Sequence, residues 1–92
     1  MKKLTQDQYI KKMSSYGFEV GGTGGNCTAF WKHIKLNEKE FEVLIANECE
    51  VPQIGEWASV EFTLLDGLHY SFSFTLKDHN AVLEFARTLE TN

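Results

Sequence analysis

A single proline and only two cysteines stand among the 92 residues. No stretch comes near the ~18 to 20 consecutive apolar residues that a membrane-spanning helix requires, so no membrane partner is expected. Positive charge is scarce as well. Nine Lys and Arg against thirteen Asp and Glu leave a net charge of −4, whereas a surface that tracks phosphates needs clustered cations, so nucleic acid is not expected as a partner either. Behind the basic start MKKLTQDQYIKKM there is no apolar run of the ~7 to 15 residues that a secretory leader carries. The expected location is therefore the cytoplasm, where two cysteines read as free thiols. What the chain does have is ordinary globular usage, 42% hydrophobic and 24% charged, which excludes disorder, collagen-like repeats and a coiled coil. Its length fits one domain over residues 1–92.

The first element is marked at both ends. Thr5 with Gln8 three residues later makes a capping box, Leu4 and Tyr9 a hydrophobic staple, and Gly17 a left-handed stop that brings Met13 onto Phe18. Tyr9, Met13 and Tyr16 recur at helical spacing, with Ile10 beside them, and the signals together predict a helix over residues 5–16. The glycine-rich run 21–26 then reads as a loop. Cys27 to Leu36 and Phe41 to Asn47 form a first hairpin around residues 37–40. With those four residues as the loop, Leu36 faces Phe41, Ile34 faces Val43 and Lys32 faces Ile45, while Lys35 faces Glu42 on the other side.

A second hairpin follows Pro52, with strands at 56–64 and 68–76. A two-residue Asp66-Gly67 turn would scramble both faces, whereas a three-residue loop 65–67 pairs Leu64 with Leu68, Phe62 with Tyr70, Val60 with Phe72 and Ala58 with Phe74. One face becomes apolar and the other polar, as in a sheet with one wet side. A last helix starts from Asp78 as N-cap and carries Val82, Phe85, Ala86 and Leu89 on one stripe. The expected architecture is α+β. It is a two-layer sandwich in which an antiparallel sheet of four or five strands carries an N-terminal and a C-terminal helix on one face, in the order α-β-β-β-β-α.

Two sets of residues are candidates for function. The first lies on the open face of the sheet, where Trp31, Trp57, Leu44 and Ala46 form an apolar island among His33, Glu61 and His69. Large aromatics on a polar face anchor partners, but they also fill gaps in packing, and parity alone leaves both roles open. A run of Glu38, Glu40, Glu42, Glu48, Glu50 and Glu56 makes one end of the sheet acidic, either as a solvated rim or as a guide for a basic partner. The second set is the loop Gly21, Gly22, Thr23, Gly24, Gly25 and Asn26, followed by Cys27. Closely spaced glycines let backbone N–H groups reach an anion, yet both known phosphate motifs open a helix and here a strand follows. If the first hairpin ladder continues, Thr28 faces Cys49 and Cys27 faces Glu50, so the two sulfurs leave opposite faces and stay unlinked. The spacing of His33, His69 and His79 matches no metal motif, and no metal or other cofactor is expected. Glu42 and Glu61 on a flat exposed face lack the cleft that acid–base chemistry needs, so no catalytic residue and no enzyme is expected.

Gly17-Phe18-Glu19-Val20, then Thr23-Gly24-Gly25-Asn26-Cys27-Thr28-Ala29, then a hairpin, resembles a group of small uncharacterised proteins of bacteriophages and bacterial genomes. Their shared pattern is Gly-Phe-x-x followed by Thr-Gly-Gly-x-Cys-x-Ala. The likeness covers about a third of the chain and does not extend to the second hairpin or the closing helix. It implies a small accessory protein of phage type, in the host cytoplasm if phage-encoded, with no activity to carry over. The expected function is a protein–protein interaction module that uses the open sheet face, with a protein partner or a second copy of itself. The alternative is a small-ligand or anion-binding domain built on residues 21–26 and Cys27.

Overall fold

The computed structural model describes residues 4–65 and 71–90. In chain order it has α1 (Gln6–Ser15), β1 (Glu19–Gly24), β2 (Cys27–Leu36), β3 (Lys39–Ala46), β4 (Ala58–Leu64), β5 (Ser71–Leu76) and α2 (His79–Glu90). The strands make one antiparallel sheet in the order β1-β2-β3-β4-β5. The α+β sandwich expected from the sequence is therefore present, with five strands.

Local chemistry sets the helix ends. The Thr5 hydroxyl accepts from Gln8 N at 3.2 Å and the Gln8 side chain accepts from Thr5 N at 2.9 Å, the reciprocal capping box. At the other end Gly17 N donates to Ser14 O and Phe18 N to Met13 O, both at 2.9 Å. That Schellman closure needs the φ of +93° that Gly17 adopts. Lys32 on β2 reaches back to donate to Tyr16 O at 2.7 Å, which sets an ammonium at the negative end of α1. α2 opens where Asp78 Oδ1 accepts from Ala81 N at 2.9 Å.

The core lies between the helices and the middle of the sheet. Tyr9 and Met13 of α1 and Val82, Ala86 and Leu89 of α2 pack on Phe30, Val43, Ile45, Ala58 and Val60. Each large side chain so buried contributes ~1.5 to 3 kcal/mol. Cover thins toward the sheet edges, where Val20 on β1 and Phe72 on β5 are 48% and 57% exposed. Phe62 stacks on Phe72 at 5.0 Å, and Phe85 meets Phe62 and Phe74 edge-on at 5.9 and 5.4 Å. Tyr9 is fully buried, and among the described residues its hydroxyl has no hydrogen-bond partner. Burial first, and then the charges of Asp78 and Glu56, push its ionisation far above the ordinary phenol range, so it stays neutral.

Three expectations about pairing change. The first hairpin turns on two residues, Asn37 and Glu38, at φ of +51° and +67°, so that Leu36 pairs Lys39 and Ile34 pairs Phe41. Lys32 faces Val43, and Glu42 faces His33 while Lys35 faces Glu40. A left-handed Glu is costly, but the twist of a two-residue turn with both φ positive matches that of the strands. In the second hairpin Ala58 pairs Leu76, Val60 pairs Phe74 and Phe62 pairs Phe72. The expected loop residues Asp66 and Gly67, and Leu68, His69 and Tyr70 after them, lie outside the described residues. Both registers slip by two positions, and a slip of two leaves every side chain on its expected face. Lastly, most of the glycine-rich run is strand. β1 pairs β2 from Glu19 and Trp31 down to Gly24 and Cys27, irregular between Gly22 and Gly24, and only Gly25 and Asn26 make the turn. Strong pairing to the ten-residue β2 outweighs the weak strand preference of glycine.

The cysteines are linked, not free. β3 ends at Ala46, after which Asn47 and Glu50 exchange backbone hydrogen bonds of 2.8 and 3.0 Å around a tight turn with Glu48 at φ +54°. Strand alternation stops at that turn. Thr28 N donates to Cys49 O at 2.9 Å, and the Cα atoms of Cys27 and Cys49 stand 4.6 Å apart, joined by a disulfide across 22 residues of sequence. A crosslink of that span removes about 3 kcal/mol of chain entropy from the unfolded state. The unreduced, denatured protein is expected to show no free thiol, and Cys27→Ser with Cys49→Ser to lose about 3 kcal/mol in urea titration.

Candidate functional site

Both helices lie on one side of the sheet, so among the described residues its other side has no layer over it. Cross-strand pairing lines up that open face in rows. Glu19, Trp31, Leu44, Glu61 and Ser73 form one row, and His33, Glu42, Thr63 and Ser71 the next. The face is not flat. One depression of about 240 Å³ is floored by Ala29, Leu44, Ala46 and Ser59, with Glu61, Cys27 and Glu48 at its borders. A second, of about 400 Å³, lies between Gly21, Gly22, Trp31, His33 and Glu42. Leu44 lines both, so the two hollows adjoin there.

Trp31 owes its position to a missing side chain. A Cβ on Gly21 would fall 2.5 Å from Trp31 Nε1, so the indole lies directly across the glycine of the neighbouring strand. Its edge meets the His33 ring at 5.4 Å, and His33 Nε2 stands 3.5 Å from Glu42 Oε2. The indole is half-buried and His33 is exposed. Trp31 thus has a packing role and a free surface together.

Charge is distributed unevenly. Among the described residues, Glu19, Glu40, Glu42 and Glu61 belong to the open face and Glu48 borders it, against Lys35, five carboxylates to one ammonium. The described part of this face thus carries a surplus of four negative charges. Surface potential follows such local sums more than the total.

The structure brings Trp31, His33, Leu44, Ala46 and Glu61 together as the sequence suggested. Trp57 departs from that island. It precedes β4, is 43% exposed and lines neither hollow, while its carbonyl accepts from Asn47 Nδ2 at 2.8 Å. His69 lies outside the described residues. Of the glycine-loop candidates, Gly21 and Gly22 border the Trp31 hollow and Cys27 the other, Thr23 and Gly24 belong to β1, and Gly25 and Asn26 form the turn. Among the described residues no cationic side chain lines either hollow to receive an anion. No group of three or more His, Cys, Asp or Glu suited to a metal occurs among the described residues, and no helix there is long and apolar enough to cross a membrane. The small residues Ala29 and Ser59, which make one hollow, went unnoticed in the sequence, and Gly21 was singled out there only as part of an anion-binding loop, not as the seat of the indole. Their signal was small side chains at alternating positions, visible only once the pairing is known.

Comparison of the chain with known protein families, with curated proteins and with solved structures found no match.

Gly21→Ala puts a methyl group where the indole lies. With Trp57→Phe leaving Trp31 as the one fluorophore, the substitution is expected to shift the emission spectrum and to cost ~1 to 3 kcal/mol of stability. An unchanged spectrum and melting curve would refute the close packing.

Proposed function

We propose that this protein is a small non-enzymatic accessory protein of phage type, acting as an interaction module that binds a protein partner through its open sheet face. The observation that carries the proposal is the apolar strip of Trp31, Leu44 and Ala46, set in adjoining hollows on a face that no described part of the chain covers. Trp offers much contact area with few torsions to freeze, which suits an anchor. The phage context rests on the sequence resemblance. A homodimer through this face is disfavoured, because it would press two net-negative surfaces together. Nucleic acid and free anions meet the same repulsion.

The test uses the purified chain as bait, alongside Trp31→Ala and Trp57→Ala. A specific partner is expected to be lost with Trp31→Ala and retained with Trp57→Ala, which lies outside the hollows. Retention by both variants, each with an unchanged melting temperature, would reject the open face as the binding surface.

The proposed compartment remains the cytoplasm, where cellular reductants would hold open, until the protein is purified in air, the Cys27–Cys49 bond that the structure shows closed. Acid-quenched, alkylated cells are then expected to yield Cys27 and Cys49 labelled. A closed bond in that assay would assign the protein to an oxidising compartment.

A further inference from the structure

Resting on that reading of the open face, we infer that the segment docking there is a cationic polypeptide, rich in arginine or lysine. Among the described residues this face carries a surplus of four negative charges, and its carboxylates surround the apolar strip. Glu19 stands across from Trp31, Glu61 across from Leu44, and Glu42 two residues along β3 from Leu44. Neighbouring strands run ~4.8 Å apart, so each of these charges lies within one Debye length, ~8 Å at physiological salt, of the apolar residue beside it.

The floor between the carboxylates fits the same chemistry. Arginine and lysine carry aliphatic stems that cover apolar surface while the charged head stays at the polar border. Leu44, Ala46 and Ala29 offer such a floor, with Glu61 and Glu48 at its edge. In the adjoining hollow the half-buried indole of Trp31 leaves ring surface for a guanidinium, with Glu42 beside it to accept a charge-assisted bond. Lys35, the one ammonium of the face among the described residues, is paired across the strands with Glu40. A neutral apolar segment would have to strip water from several carboxylates without compensation, and an acidic one would be repelled.

The experiment titrates the full chain, carrying Trp57→Phe, with short peptides of equal length built from alternating Arg-Ser, Gln-Ser or Glu-Ser, and follows Trp31 emission. Only the Arg-Ser peptide is expected to bind, and more weakly as salt is raised. Glu42→Gln with Glu61→Gln should weaken it about tenfold or more, the loss of one charge-assisted hydrogen bond. Glu38→Gln with Glu84→Gln, an equal charge change off the face, should leave the affinity within about twofold, since exposed distant charges are screened. Equal binding of the Gln-Ser peptide, or equal loss in both double variants, overturns the inference. If no peptide binds while the Trp31-dependent capture of a partner persists, the partner chemistry is wrong and the open-face reading stands. Arg-Ser binding that survives Trp31→Ala and Glu42→Gln with Glu61→Gln moves the site elsewhere and overturns both.

Discussion

Two helices have to cover one side of a five-stranded sheet, and the rest of the structure follows from how far they reach. Tyr9 and Met13 meet Val82, Ala86 and Leu89 over the three central strands, where Phe30, Ile45 and Val60 are completely buried. The two outer strands are left under thin cover, and there the protein keeps exposed Val20, Phe72 and Phe74. Among the described residues no helix is left for the opposite side. A sheet with one bare face must make that face polar enough to stay in water, and this one does so with a surplus of carboxylates and a row of Ser and Thr.

The long connection between β3 and β4 depends on the same helices. Gln6 in the first turn of α1 both donates to Pro52 O at 3.1 Å and accepts from Ile54 N at 3.0 Å. His79 at the start of α2 accepts from Gly55 N at 3.0 Å through Nδ1. The Cys27–Cys49 bond fastens the beginning of the same connection to the β1–β2 hairpin. Segment 47–57 is thereby held at both ends by groups distant in sequence, although it contains no regular element.

The sequence conveyed face membership better than register. Alternation at period two sorts residues between the faces, and that sorting survives a slip of two positions, so Trp31, Leu44 and Glu61 fell on the open side despite the wrong cross-strand partners. The register itself turned on Glu38, which adopts a left-handed conformation that its residue type disfavours. Composition also misled at β1, where three glycines suggested a loop and pairing with β2 made a strand. The disulfide escaped for a related reason. Parity holds only while the ladder continues, and the turn at Glu48 ends it before the rule can reach Cys49. The hollows were illegible because they consist of what is missing, the side-chain volume that Gly21, Ala29 and Ser59 do not fill.

The strand order has a consequence for how the molecule is made. Every strand pairs with its neighbour in sequence, so a chain leaving the ribosome can add each strand to the one before without waiting for a distant segment. Covering the apolar side is another matter, because part of the layer that shields Phe30, Ile45 and Val60 is α2, which emerges after all five strands. Until then the growing sheet presents a sticky face to its surroundings. The order of synthesis thus makes the final twelve-residue helix a latch, and the period before it closes is the one in which the nascent chain needs protection.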